Sequence, residues 1–470
     1  MNKLLGSIKE AINLTGLSDG MTVSFHHHLR NGDFVLNMVM EEIAALGIRD
    51  IKINASSLFD THMPLIEHIK NGVVTGVSTD YMGAGIGRAF SEGVLAAPVK
   101  FYTHGGRPYS LAEGREKIDV AFIAAPTADS MGNCSGKYGK SACGSLGYAF
   151  ADAAYAERVV VITDNLVSSP LDDFSISEDY VDYVVEVGAI GDPNGIVSGT
   201  TRITRDPVGL IMAANAARVI EASGLLKDGF SFQTGAGGAS LATAKFLKEI
   251  MQRENITGSF GLGGITGYMV DMLNAGCFKE LRDVQCFDLV AVESIRNNPN
   301  HKEISAMQYA SPGEKNAAVN SLDVVILGAT EIDTDFNVNV HTDSNGYIMG
   351  GSGGHSDTAA GAKLSMIIAP MFRARLPIIV DRVNCISTPG KDIDVLVTQG
   401  GIAVNPKRSE LRERLCAAGL PIIDIGELKE KTERITGIPK RLERGERVVA
   451  EIIGREGNLL DKIYNVPNNN

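Results

Sequence analysis

Apolar positions along this chain switch between two rhythms, and the switching predicts alternating strands and helices. Residues 22–29 read as a strand, after which Leu36, Val39, Met40, Ile43 and Leu46 recur at helical spacing and Gly47 supplies a stop. Residues 51–58 read as the next strand and complete a β-α-β unit. Short apolar runs bounded by polar or turn residues place buried strands at 118–125 and 158–163. After Glu221 the chain passes through Ala-Ser-Gly-Leu-Leu-Lys-Asp-Gly and the rhythm restarts. A strand at 230–234 leads through a Gly235-Ala-Gly-Gly238 turn to a helix with Leu241, Ala244, Leu247, Ile250 and Met251 on its apolar face. Strands follow around Phe260 and at 284–289, 323–329, 377–383 and 394–398. Strands alternating with helices over both halves predict the α/β class, with mainly parallel sheets flanked by helices.

The two halves are related. Ile118-Asp-Val-Ala-Phe-Ile-Ala-Ala-Pro-Thr-Ala-Asp129-Ser-Met-Gly-Asn133 aligns without a gap on Leu322-Asp-Val-Val-Ile-Leu-Gly-Ala-Thr-Glu-Ile-Asp333-Thr-Asp-Phe-Asn337. Asp119 matches Asp323, Val120 matches Val324, Ala125 matches Ala329, Asp129 matches Asp333 and Asn133 matches Asn337. Similarity between two buried strands arises easily by chance, but the same Asp-x-x-x-Asn turn at the same offset does not. In each half a later apolar strand also ends in polar residues, at 159–165 and 378–384. The expectation is two related domains, 1–225 and 226–470.

A length of 470 residues agrees, because it exceeds what one hydrophobic core usually supports. No stretch approaches the roughly 18 consecutive apolar residues of a membrane helix, and residues 1–16 show no secretory apolar region, so a cytoplasmic protein is expected. The six cysteines form no Cys-x-x-Cys pair and are expected to be reduced and mostly buried. A net charge of −12 argues against nucleic acid or an anionic membrane as partner, since both require clustered Lys and Arg. A small anionic substrate is compatible with it, given a local basic pocket.

Candidate chemistry concentrates where strands end. Three glycine-rich segments fall there: Gly235-Ala-Gly-Gly238, Gly261-Leu-Gly-Gly-Ile-Thr-Gly267 and Gly350-Gly-Ser-Gly-Gly-His355. Each alone reads equally as a tight βα turn. Three together suggest backbone approaching a ligand beyond the carboxyl ends of a parallel sheet. Gly235, Gly237, Gly238, Gly263, Gly264, Gly350, Gly351 and His355 are the candidate binding positions, with Gly353 and Gly354 as donors to a developing oxyanion. None of the loops fits a dinucleotide or P-loop fingerprint. Asp288 closes the 284–289 strand and Glu293 follows; both are catalytic candidates, though a carboxylate there also reads as a turn cap. Glu331, Asp333 and Asp335 lie on the second repeat copy. His26 and His28 share one face of the first strand and, with Arg30 and Arg107, are candidates for anion recognition; the bland alternative is a polar strand end. No carboxylate or cysteine stands at diagnostic spacing from them, so no metal is expected.

Longer motifs carry a resemblance. Gly20-Met-Thr-Val-Ser-Phe-His-His-His28, Phe232-Gln-Thr-Gly-Ala-Gly-Gly-Ala-Ser-Leu241, Gly263-Gly-Ile-Thr266 and Asp333-Thr-Asp-Phe-Asn-Val-Asn-Val340 resemble the citrate lyase alpha-chain family. So do Gly353-Gly-His-Ser-Asp-Thr-Ala359 and Gly400-Gly-Ile-Ala-Val-Asn-Pro406, and the likeness runs from about residue 10 to the C-terminus. The resemblance implies two CoA-transferase-type domains. It also implies exchange of acetate for citrate on a thioester, carried by CoA or by the phosphoribosyl-dephospho-CoA arm of a carrier-protein (gamma) subunit, beside a lyase (beta) subunit. No tightly bound cofactor is implied, and a homo-oligomer is expected. The chain reaches its first strand earlier than expected for some relatives, so an N-terminal arm used in assembly is expected to be missing.

A carboxylate attacking a thioester needs oriented N–H donors and exclusion of water, but no Ser-His-Asp arrangement, and the sequence suggests none. Related CoA-transferases attack with an enzyme glutamate where this chain has the shorter Asp288. The expectation is therefore direct attack by citrate, with Asp288 or Glu293 positioning groups around it. An acyl-CoA hydrolase, or a transferase for another carboxylic acid, would share this fold. A ligand-sensing regulator would need a basic DNA-binding helix pair, and none is evident.

Overall fold

The computed structural model describes residues 3–168, 170–197, 202–235 and 237–467. The chain builds two large sheets with the same strand order. In the first, Thr22–Phe25 is central. Ile51–Ala55, Val74–Thr79 and Val99–Phe101 lie to one side of it, with Ile118–Ala125, Ala156–Thr163 and Tyr183–Glu186 to the other. In the second, Ser231–Thr234 is central. Gly258–Ile265, Phe278–Cys286 and His301–Glu303 lie to one side, with Val324–Leu327, Leu364–Ile368 and Val395–Thr398 to the other. All of these neighbours pair in parallel. Every residue of Ile118–Ala125 is buried, as expected for a parallel strand covered on both faces.

The internal repeat is a repeat of hydrogen bonds. Asp119 and Asp323 each take a backbone N–H from the central strand beside them, from Thr22 at 2.7 Å and from Ser231 at 2.8 Å. Asp129 and Asp333 each close an Asx turn. Asp129 accepts the Met131, Gly132 and Asn133 N–H groups, and Asp333 accepts those of Asp335 and Asn337. The amide of Asn133 donates to Asp129 at 3.0 Å, and that of Asn337 to Asp333 at 3.2 Å. Both turns seed a small three-stranded sheet. The matched aspartates are turn and strand anchors, which explains why both halves carry them.

Several expected elements are corrected. The strand beginning at Thr22 ends at Phe25, so His26, His27 and His28 lie just beyond it. Gly261 to Ile265 belong to the strand Gly258–Ile265 and are not a loop. The expected strand at 377–383 is reduced to the pairs Leu376–Pro377 and Ile379–Val380. Helix Pro207–Ala222 packs on helix Gly238–Arg253 and on two strands of the second sheet. At the other end, Val448–Ile453 returns to pair in parallel with Val99–Phe101, and Leu459–Tyr464 extends the first sheet beyond it. Among the described residues no helix is long and apolar enough to cross a membrane. All six cysteines are free, five of them buried and Cys416 exposed.

Candidate active site

The residues just beyond the central strand of the first sheet meet the second sheet across a seam. On one side Gln285 donates from Nε2 to the His27 carbonyl at 3.0 Å, and Ser145 donates to the Asp283 carbonyl at 3.0 Å. On the other side the segment Gly350 to Gly354 runs directly against the first sheet. The Met82 N–H donates to the Gly350 carbonyl at 3.1 Å, the Gly353 N–H to the Asp80 carbonyl at 3.2 Å, and the His104 N–H to the Gly353 carbonyl at 2.9 Å. Asp357 locks this side by accepting from Thr103 Oγ1 at 2.9 Å and from the Gly105 N–H at 2.8 Å. Glycine is required at 351, because a Cβ there would stand 2.2 Å from the Asp80 carbonyl oxygen. The Gly351 and Gly354 N–H groups have no acceptor among the described residues. The third glycine segment therefore lies at the inter-sheet seam with two backbone donors available.

The walls of the crevice hold polar atoms that no described residue satisfies. Arg30 adopts a left-handed backbone, φ 52°, and its guanidinium lies over Phe59 and Phe287, 5.5 and 4.9 Å from the ring centroids. Those rings come from opposite sides of the seam. Burial lowers the Arg30 pKa from its ordinary value, yet among the described residues Nη1 has no hydrogen-bond partner and no carboxylate pairs with the group. A buried, unpaired guanidinium is costly unless an anion completes it. Gln233 presents a second orphan: Nε2 donates to the Tyr309 hydroxyl at 2.9 Å while buried Oε1 is unpaired. The left-handed Gly263, φ 107°, makes room for that side chain, since a Cβ there would stand 2.8 Å from its amide carbon.

Between these groups lies an aromatic stack. Tyr148 sits 4.5 Å from the His27 ring and 4.4 Å from the His104 ring, centroid to centroid. His104 Nδ1 lies 2.9 Å from Asp80 Oδ2. Burial pushes the Asp80 carboxyl up, and the His104 hydrogen bond pulls it partly back. His104 Nε2 has no hydrogen-bond partner among the described residues and lies 3.1 Å from where a Cβ of residue 353 would stand.

The other expected site residues divide sharply. His26 and His28 do come together, with their Nδ1 atoms 2.7 Å apart. Burial lowers the His26 pKa to about 4 and takes that of His28 well below its ordinary value, so neither brings a positive charge to an anion. Arg107 is consumed inside the first unit, 2.7 Å from Asp152 and bonded twice to Asn54. His355 is likewise structural, spanning the Thr388 hydroxyl at 2.8 Å and the Gly328 carbonyl at 2.9 Å, and burial lowers its pKa to about 4. Asp288 caps the helix Leu289–Asn297, accepting the Ala291 N–H at 2.9 Å and the Gly267 N–H at 2.7 Å. Glu293 points to solvent, paired with Arg296 and Asn297. Gly264 packs its open face on the Phe287 ring beneath the crevice. In the first glycine turn, Gly235 donates to the Ile326 carbonyl at 3.0 Å and Gly237 caps helix Gly238–Arg253; Ala236 lies outside the described residues.

Asp80, Tyr148, Gln233, Phe287 and Tyr309 are crevice residues that sequence reasoning passed over. The one available signal nearby is the basic stretch Thr103-His-Gly-Gly-Arg107, which carries His104 beside the candidate Arg107. A buried group of metal-ligating types, Asp283, Cys286 and His301, also emerges among the described residues. Its members satisfy one another, with His301 Nε2 and Cys286 Sγ each 3.0 Å from Asp283 Oδ2, and they pin adjacent strands together.

Comparison with known proteins converges on one family. The model of the family "Citrate lyase, alpha subunit (CitF)" matches residues 1–466. The citrate lyase alpha chain of Haemophilus influenzae is 51% identical over 464 residues, covering 99% of this chain and 93% of its own length. That of Klebsiella pneumoniae is 50% identical, covering 99% of this chain and 92% of its own. The crystal structure of a putative citrate lyase alpha subunit from Streptococcus mutans, in complex with citrate, superposes with a TM-score of 0.97 at 50% identity, covering 99% of this chain and 92% of that one. A Pseudomonas malonate decarboxylase hetero-tetramer shares the fold at 18% identity, with a TM-score of 0.70 over 93% of this chain and 88% of that one.

Proposed function

Because the chain belongs to the citrate lyase alpha-subunit family, the citrate CoA-transferase component of that enzyme, we propose that its inter-sheet crevice exchanges acetate for citrate on a thioester. The observation that carries this assignment of the site is Arg30. Its unpaired guanidinium, held between Phe59 and Phe287, is the available cation in the crevice, and a citrate carboxylate completes it.

In this reading a second citrate carboxylate attacks the acetyl thioester carbonyl. A C–O bond forms, the carbonyl electrons move onto oxygen, and the Gly351 and Gly354 N–H groups receive that charge. Collapse breaks the C–S bond, leaving a citryl-acetyl anhydride and a thiolate. The thiolate attacks the citryl carbonyl and acetate departs. Direct attack by citrate is favoured because the carboxylates near the crevice are committed: Asp288 to two backbone amides, Asp80 to His104, and Asp357 to Thr103 and Gly105. The tight seam keeps water from the anhydride. The natural thiol donor is taken to be the phosphoribosyl-dephospho-CoA arm of a carrier (gamma) subunit, with a lyase (beta) subunit consuming the citryl product. A cytoplasmic setting accords with six unpaired cysteines.

The test is to mix the purified chain with acetyl-CoA and citrate, follow citryl-CoA by mass spectrometry, and quench parallel samples with borohydride. Citryl-CoA without a modified enzyme carboxylate is the expected result. Absence of citryl-CoA overturns the assignment, and a reduced carboxylate on the protein overturns direct attack.

A further inference from the structure

We infer that His104, oriented by Asp80, is a catalytic acid–base residue that protonates the departing thiolate and takes the proton back before the thiol attacks the anhydride. This rests on the transferase reading above and deepens it. Three observations converge on His104. Its Nδ1 is held 2.9 Å from a carboxylate that is 1% exposed, which fixes the orientation of the ring. Its ring is clamped 4.4 Å from Tyr148 and 5.6 Å from His27. Its Nε2 has no hydrogen-bond partner among the described residues and opens onto the glycine segment at 353, where any side chain would cover it at 3.1 Å.

His104 also stands apart from His26, His27 and His28, all buried, whose Nδ1 atoms are engaged by one another or by Ser56. Unlike them, His104 is held by a carboxylate and remains partly exposed, its side chain 14% accessible. Both Arg30 and His104 act electrostatically on His27, which lies against the same Tyr148 ring as His104.

The step balances. As citrate oxygen bonds to the acetyl carbon, the C–S bond breaks and sulfur takes both electrons. The imidazolium passes its Nε2 proton to sulfur and becomes neutral imidazole, still hydrogen-bonded to Asp80. When the thiol attacks the citryl carbonyl, Nε2 recovers the proton and acetate leaves. No proton is gained or lost over the cycle, in keeping with an acyl exchange.

The experiment compares two donors that differ in how much help the leaving group needs. Acetyl-CoA expels an alkyl thiolate; the acetyl thioester of 5-thio-2-nitrobenzoate expels a stable aryl thiolate. Relative to the parent, His104→Asn is expected to lose about 100-fold or more in kcat with acetyl-CoA but less than 10-fold with the aryl thioester, at unchanged citrate KM. Asp80→Asn should show the same asymmetry more weakly. Equal losses with both donors, or no loss with either, overturn the inference. Should His104→Asn fail to fold by circular dichroism, His104→Gln, which preserves ring-like reach and a donor, takes its place in the same comparison. If the parent chain makes no citryl-CoA, it is the transferase reading that fails; a parent that works beside variants with symmetric losses removes the role of His104 alone.

Discussion

At the scale of single residues, the site turns on which polar atoms the fold leaves unsatisfied. Arg30 and Arg107 look equivalent in sequence, each a basic residue beyond a strand end. Arg107 meets Asp152 and Asn54, whereas Arg30 meets only aromatic faces. Nothing local distinguishes them, because Asp152 arrives on the distant helix Ala149–Tyr155 and Phe287 just beyond the strand Phe278–Cys286. Replacing Arg30 by Gln should therefore act on binding and spare the fold. Loss of a charge-assisted hydrogen bond of about 1.5–3 kcal/mol should raise the citrate KM by roughly 10- to 150-fold. The KM for acetyl-CoA should hold. Removing a buried unpaired charge should also leave the melting temperature equal or higher. A variant that melts earlier with unaltered citrate KM would mark Arg30 as structural.

At the scale of elements, strand positions and the repeat were readable from periodicity, since a parallel strand buried on both faces must be a short apolar run. Strand ends were not readable. The glycines from 261 to 265 sit inside a strand, where they admit Gln233 and Phe287 rather than turn the chain. Asp288 stands at a strand end, as expected, but with extended backbone one residue before a helix, so its carboxylate is drawn to the helix N-terminus. Asp288→Ala is thus expected to cost about 1 kcal/mol in stability, from the lost cap, with less than a 10-fold drop in kcat. A covalent nucleophile would instead lose several orders of magnitude. Urea unfolding and steady-state kinetics on one preparation separate the two outcomes.

At the scale of the whole molecule, the two sheets are stitched by the glycine segment and by the terminal hairpin that joins the first sheet. The hairpin was not legible in sequence because pairing with Val99–Phe101 spans some 350 residues and has no local signature. This packing also desolvates histidines more than nearby charges compensate, and that has a thermodynamic consequence. Burial lowers the His26 and His355 pKa values to about 4, and that of His341 to about 3, from an ordinary 6.5. The unfolded chain therefore binds protons more readily than the native one between pH 6.5 and about 4. Stability from these groups is complete above 6.5 and is lost as the pH falls through that window. Buried carboxyls act in the opposite sense, since burial raises Asp80, Asp152 and Asp357 and favours their protonation in the native state. A single histidine is isolated from that background by comparing the parent with His355→Gln, which lies on a helix start and keeps a polar side chain facing Thr388 and Gly328. Measured by urea unfolding at pH 5, 6 and 7, the parent should lose about 1 kcal/mol per pH unit more than the variant below pH 6.5. Parallel curves would mean that His355 takes up its proton in the native state, and that the packing around it opens to water.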